Sequence, residues 1–271
     1  MNNTTYKKSP TKIMGVLNAN EDSFFKNSRF QGKNAIFKIK EMIKDGANII
    51  DLGGVSSRPG SIPVDSSEEL KRVKPIIDLI YAEKLYDKVD FSLDSYQPEV
   101  LRYALDNGFK IINDISGLEN DEVCKLAALY KAPVVIMHMQ NNPTNMQDKP
   151  KYDNVVLDIN KFFEQRIKKA KSFGIENIIL DVGIGFGKTL EHNLKLIKNL
   201  EYFKHFGCEI LMAASRKSMI DMITPSKTED RLPGTLAIHL ESIKNGASII
   251  RCHDVKEHFQ AIKVQESILN I

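Results

Sequence analysis

The stretch "SFGIENIILDVGIGFGKT", Ser172 to Thr189, decides between two fold classes. Its second half looks like a nucleotide phosphate loop, a glycine-rich turn ending in Gly-Lys-Thr directly after an apolar run. A P-loop needs four residues between its first glycine and that tripeptide. Gly183 and Gly187 enclose three, and the position that would satisfy the count is Val182. The first half carries the stronger signal. A helical pattern stops at Gly174, and the apolar run "NIILD", Asn177 to Asp181, follows almost at once. Glycine ends helices because it adopts a left-handed backbone at little cost. A short run that is apolar on both faces suits a buried parallel strand. The stretch therefore reads as a helix–strand joint with a glycine loop after it, and not as a P-loop.

The same joint recurs in "KDGAN", "DNGFK", "HFGCE" and "KNGAS". Eight apolar runs punctuate the chain: "IMGVL" (Ile13 to Leu17), "NIIDL" (Asn48 to Leu52), "VDFSL" (Val89 to Leu93), "KIIND" (Lys110 to Asp114), "VVIM" (Val134 to Met137), "NIILD", "EILMA" (Glu209 to Ala213) and "SIIRC" (Ser248 to Cys252). Helical segments separate them. "SSEELKRVKPIIDLIYAEK" opens with a Ser-x-x-Glu capping pattern at Ser66 or nearby. Eight such units predict an α/β fold, a single-domain (β/α)8 TIM barrel over residues 13–271 behind an N-terminal tail of residues 1–12. A doubly wound open sheet is the alternative. It usually has fewer strands and one dominant glycine-rich turn, whereas here polar residues follow nearly every run.

With 271 residues, 42% hydrophobic and 27% charged, the chain can bury a sizeable core. Its net charge of +3 is spread over lysines interleaved with acidic residues. That is a solvated surface and argues against nucleic acid as a partner. Three dispersed cysteines show no metal spacing, which points to free thiols in a reducing cytoplasm. "MNNTTYKKSPTK" lacks an apolar targeting core, and no run reaches the length of a membrane span. A cytoplasmic protein without membrane contact is expected.

Barrel enzymes place chemistry at the C-terminal ends of their strands. Those ends carry Asn18, Ser57 and Arg58, Asp94, Asn113 and Asp114, His138, Asp181, Ser215 to Ser218, and Arg251 with His253 and Asp254. Strands one, two and eight are neighbours in a closed barrel, so Asn18, Ser57, Arg251 and His253 can converge. Alternation turns Arg251 and His253 to one side and Cys252 to the other. A guanidinium and an imidazole so placed suit a diphosphate, and Asn18 can give an oxygen to a magnesium ion that relies otherwise on phosphate and water. Asp94, Asn113 and Asp181 suit a flat ring with its own donors; an NH and NH2 fork would meet Asp181, and Lys217 would donate to a ring carbonyl. His138 reads as a satisfied strand-end histidine, and Asp114 and Asp254 as helix caps.

In order and in register, "MGVLNANEDSFF", "DLGGVSSRPGS", "FSLDSY", "IINDISG", "VIMHMQNNPTNMQ", "ILDVGIGFGKTLEHNL", "SRKSMI" and "RCHDV" resemble the signatures of the dihydropteroate synthases, a pterin-binding TIM-barrel family. The resemblance implies a transferase of folate biosynthesis. It joins 7,8-dihydropterin-6-ylmethyl diphosphate to 4-aminobenzoate and releases pyrophosphate, with Mg2+ as cofactor. By motif it implies that Asp94, Asn113, Ile115, Met137, Asp181, Lys217 and Arg251 hold the pterin. Asn18, Ser57, Arg251 and His253 would hold the diphosphate, with Asn18 also on the metal, and 4-aminobenzoate would lie by Phe24, Pro59, Phe186, Lys217 and Ser218. Asp94, Arg251, His253 and Lys217 would act in catalysis. A homodimer and a sulfonamide target are also implied. The first loop departs from the family pattern, with Asn20 and Glu21 in place of Thr-Pro and Lys26 in place of an aspartate. Two rivals remain open: a pterin barrel passing a methyl group to a corrinoid protein, and a homologue that binds pterin without turnover.

Overall fold

Helices separate the strands along the described chain, one between most neighbours and two before the last strand. The computed structural model describes residues 10–19, 32–56 and 64–269. The strands are β1 (Lys12–Asn18), β2 (Ile49–Gly53), β3 (Asp90–Asp94), β4 (Ile111–Asp114), β5 (Val134–Met137), β6 (Ile178–Asp181), β7 (Glu209–Met212) and β8 (Ile249–Cys252). Each lies within one residue of the apolar run that predicted it. The helices are α1 (Gly32–Lys44), α2 (Ser66–Ala82), α3 (Pro98–Asp106), α4 (Asp121–Tyr130), α5 (Val155–Ser172), α6 (Leu190–Lys198), α7 (Ser218–Ile223), α8 (Leu232–Lys244) and α9 (Val255–Leu269). All strands are parallel, each pairs with the next, and β8 closes on β1. Closure excludes the doubly wound alternative and makes the fold a (β/α)8 barrel.

The glycines that mark the joints, Gly46, Gly108, Gly174, Gly207 and Gly246, all have positive φ, from 69° to 107°. One helix start differs from the expectation. Asp65, and not Ser66, is the N-cap of α2: its side chain accepts from the Glu68 amide at 2.8 Å, while the Ser66 hydroxyl donates to Glu99. A carboxylate there satisfies an orphan amide and also complements the helix dipole.

Two apolar layers hold the barrel. The outer one packs strand residues such as Leu17, Leu52, Phe91 and Leu180 against helix residues such as Ile39, Ile76 and Phe163, all fully buried or nearly so. Burial of each such side chain stabilises the fold by about 1.5–3 kcal/mol. The inner one, Met14, Ile49, Ile111, Val135, Ile179, Leu211, Ala213 and Ile249, plugs the barrel interior. Because side chains alternate along a strand, the residues two positions further on stand above this plug: Asp51 after Ile49, Asn113 after Ile111, Asp181 after Ile179 and Arg251 after Ile249. The plug is thus the floor of a polar mouth.

Candidate active site

Strand register places these side chains side by side. Gly53 lies opposite Asn18 and Asp94, Asp94 opposite Asn113, and Asp181 opposite Met137. A cavity of about 160 Å³ opens above them. Asn18, Asp94, Asn113, Ile115, Met137, Asp181, Phe186, Lys217, Ser218, Arg251 and His253 all line it. Those are the sequence-derived candidates within the described residues, gathered on one site. Phe24, Ser57, Arg58 and Pro59 lie outside the described residues, as do Asn20, Glu21 and Lys26 of the first loop. A wider cavity of about 720 Å³ adjoins, shares Asp94 and Ile115, and extends past Glu69, Tyr96 and Arg166.

Arg251 is the centre of the charge network. Its Nε donates to Asp51 Oδ2 at 2.7 Å and its Nη2 to Asp94 Oδ2 at 2.8 Å. Asp51 Oδ2 also accepts from Asn113 Nδ2 at 2.9 Å. A carboxylate can only accept, so Asn113 turns its NH2 toward Asp51 and keeps its carbonyl oxygen as an acceptor. The guanidinium therefore bridges two carboxylates through its fork. Burial raises the Asp94 carboxyl to about 7 despite Arg251, with Asp51 and Glu69 adding repulsion. The two acids hold Arg251 firmly in its charged form.

The glycine loop after β6 answers the P-loop question directly. Asp181 accepts from the Gly183 amide at 2.8 Å, and burial lifts its carboxyl above the usual range. Gly183 has φ +67°, and a Cβ there would stand 1.9 Å from the His138 carbonyl oxygen, so only glycine fits. Lys188, the P-loop-like lysine, points inward and is buried. Its Nζ donates to the Phe186 carbonyl at 2.8 Å and meets His138 Nδ1 at 3.0 Å. His138 is satisfied, as its sequence context suggested. Lys217 crosses over the same loop, donating to the Ile184 carbonyl with its Nζ 4.5 Å from the centre of the Phe186 ring. Burial lowers its amine to about 8, although Asp181 and Asp94 oppose the shift.

On the β8 side, His253 Nδ1 and Ser215 Oγ are 2.9 Å apart, and the His253 amide donates to the same oxygen. Burial, reinforced by Arg251, lowers the imidazole to about 3. His253 is therefore neutral at ordinary pH in the site without ligand. Cys252 is fully buried in the outer layer, as alternation requires. Two of the excluded aspartates behave differently from one another. Asp114 is not a helix cap: it accepts from the Ser116 and Leu118 amides of the loop, and Asn120 caps α4. The Asp254 side chain instead pairs with Arg216 through both oxygens, at 2.7 and 2.9 Å.

Sequence reading missed Asp51, hidden inside the run "NIIDL". A carboxylate with the inward parity of Ile49 was the available signal. Met146, from the loop after β5, also lines the cavity and carried no signal. For a metal, a group of three or more His, Cys, Asp or Glu is absent among the described residues. Asn18 Oδ1 and Asp94 Oδ2 both lie over Gly53, 3.4 and 3.9 Å from where a Cβ would stand. A neutral oxygen donor beside a glycine gap fits a magnesium ion that keeps its other places for water and phosphate.

Residues 14–253 match the family model described as "Pterin binding enzyme". The Escherichia coli dihydropteroate synthase is 41% identical over 98% of this chain and 95% of its own length. The chain belongs to the dihydropteroate synthase family. Its fold agrees with that of other family members. The Yersinia pestis dihydropteroate synthase, solved with a sulfonamide drug, has a TM-score of 0.92 at 36% identity, over 97% of this chain and 96% of that one. The Thermus thermophilus dihydropteroate synthase, solved with 4-aminobenzoate, has a TM-score of 0.86 at 33% identity, over 96% and 95%. Among the described residues no helix is long and apolar enough to cross a membrane.

Proposed function

We propose that this chain is a transferase that condenses 7,8-dihydropterin-6-ylmethyl diphosphate with 4-aminobenzoate, giving 7,8-dihydropteroate and pyrophosphate in folate biosynthesis. One observation carries the assignment of roles. The acceptor set Asp94, Asn113 and Asp181 and the donor pair Arg251 and His253 line a single cavity. In this reading Asp181 takes the NH and NH2 fork of the pterin and Asn113 offers its carbonyl oxygen to another ring N–H. Lys217 donates to the ring carbonyl from a position it can reach with its remaining N–H bonds. Ile115 and Met137 flank the ring, and Arg251 stacks on it while held by Asp51 and Asp94. Asn18 and Ser57 join Arg251 and His253 on the diphosphate. Phe24, Pro59, Phe186, Lys217 and Ser218 surround the aminobenzoate.

The chemistry follows from this placement. The methylene–oxygen bond breaks, and its electron pair leaves with pyrophosphate. The aromatic amine then forms the new carbon–nitrogen bond and gives up one proton. Arg251 meets the growing charge with a guanidinium already fixed in place, and His253 adds an N–H; prepositioned donors of this kind lower barriers most in sites shielded from water. Asp94, beneath the ring, offsets positive charge on the pterin. Magnesium held by Asn18 would supply further neutralisation of the leaving diphosphate. A homodimer is part of the proposal, in line with the exposed apolar pair Met222 and Ile223 on α7. So is a cytoplasmic location, in line with free cysteines.

The test is product formation from the pterin diphosphate, Mg2+ and labelled 4-aminobenzoate. Labelled dihydropteroate is expected, and Arg251→Ala should cripple diphosphate binding and turnover; near-normal turnover in that variant would refute the diphosphate clamp. Methyl transfer to a corrinoid acceptor, or pterin binding without product, would each overturn the proposal.

A further inference from the structure

At the edge of the cavity, which Arg216 lines, a closed ring of hydrogen bonds joins the ends of β7 and β8. The Ala214 amide, two residues past β7, donates to His239 Nε2 on α8 at 3.1 Å. His239 Nδ1 meets His258 Nε2 on α9 at 2.8 Å, and His258 Nδ1 meets the Asp254 carbonyl oxygen at 2.6 Å. Asp254 follows β8 and returns the ring to β7 through its ion pair with Arg216. Arg216 is only 6% exposed, has φ +57°, and donates also to the Thr228 and Glu229 carbonyls. A non-glycine residue in that conformation costs roughly 1 kcal/mol or more and persists only where its surroundings hold it. The ring therefore grips the segment that ends in Lys217 and Ser218, and it grips it from the residue next to His253.

The proton positions in this ring follow from its ends. A backbone amide can only donate, so His239 Nε2 is bare and its Nδ1 carries the hydrogen. A carbonyl can only accept, so His258 Nδ1 carries a hydrogen and its Nε2 is bare. The central contact is then Nδ1–H of His239 donating to Nε2 of His258, which closes the chain without a conflict. Both rings are buried, at 0% and 1% exposure, and burial lowers both below the usual imidazole range, keeping them neutral. With either ring protonated, two N–H groups would face one another in the core.

We infer that His239 and His258 are positioning residues: locked as neutral Nδ1–H tautomers, they set the strand-seven groups Lys217 and Ser218 at a fixed distance from the strand-eight groups Arg251 and His253. The inference rests on the transferase reading, in which those two sets act on one substrate at the same moment. Most of the pterin contacts, Asp94, Asn113 and Asp181, come from β3, β4 and β6 and do not depend on the ring; only Lys217 and Arg251 do. Misplacing reacting groups by about 1 Å costs roughly a hundredfold in rate, so a loosened ring should appear in kcat first.

The decisive experiment pairs kinetics with nuclear magnetic resonance of the full chain. In the wild type, 15N-detected imidazole spectra at neutral pH should show both residues as neutral Nδ1–H tautomers; an Nε2–H tautomer or an imidazolium at either would overturn the inference. His258→Phe and His239→Phe should each lower kcat by about tenfold or more, with a smaller loss of affinity for a pterin lacking the diphosphate, because only Lys217 and Arg251 among its contacts come from β7 and β8. The double variant should be no worse than either single, because the pair acts as one unit. His258→Gln, whose amide oxygen can still accept from His239, should recover most of kcat. Equal losses in kcat and pterin affinity, or additive single losses, would refute the role. If a Phe variant does not fold, the tautomer spectra and the Gln variant still decide. A wild type that makes no dihydropteroate would instead sink the reaction assignment and leave the tautomer result standing.

Discussion

Asp94→Asn should make the protein more stable at neutral and alkaline pH while it abolishes turnover. The reason is a charge imbalance inside the barrel. One guanidinium, Arg251, stands between two carboxylates, Asp51 and Asp94, so the group carries a net negative charge where water is scarce. The Asp94 side chain is 13% exposed, and its carboxyl rises from 3.8 to about 7. That is a shift of about 3 units, and at about 1.4 kcal/mol per unit ionising Asp94 costs the fold up to about 4 kcal/mol.

The sign follows from proton counts. Between about pH 4 and pH 7 the folded chain keeps the Asp94 proton while the unfolded chain releases it. Raising the pH through that window therefore favours the unfolded state. Asparagine carries no charge, and its carbonyl oxygen can still accept from Arg251. Urea unfolding of both proteins across this range should give similar stabilities at the acid end and a widening advantage for the variant, levelling off above about pH 7. Curves that run parallel, or a gap that widens toward acid, would refute the reasoning. Dihydropteroate formation measured on the same samples should fall in the variant despite its greater stability.

Asp181→Ala should abolish pterin binding in a fluorescence titration, because the fork of ring donors loses both its acceptors; retained affinity would remove Asp181 from that role. Lys217 with a pKa near 8 predicts that kcat/KM for the pterin diphosphate declines as pH rises through about 8. The ammonium is the donor, and it is lost on the alkaline side. A Lys217→Arg variant should show residual activity without that limb. Gly183→Ala should lower stability by about 3 kcal/mol in thermal unfolding, since its Cβ would meet the His138 carbonyl at 1.9 Å in a backbone of φ +67°.

Much of the site was legible in the chain because the barrel converts local pattern into position. Each short apolar run became a strand within one residue, and each glycine joint took positive φ. From there alternation alone aimed Arg251 and His253 inward and Cys252 outward. Asp51 was lost because an apolar run of that length conceals one carboxylate, and nothing local says it will meet an arginine 200 positions away. Its partner lies two strands distant, across β1, so the contact exists only once β8 has closed on β1. Asp254 was set aside as a cap for the same reason, since its partner Arg216 lies 38 positions away.

By itself the sequence determined the alternation of elements, the glycine hinges and which side of each strand faces the interior, all consequences of backbone sterics and periodicities of a few residues. Only the tertiary structure decided the charge states and the partners. It made His253 neutral, pushed Asp94 and Lys217 toward neutrality, turned the P-loop-like Lys188 into a buried brace, and locked His239 against His258. Those outcomes depend on how much water each group loses and which charges surround it, and distant parts of the chain set both.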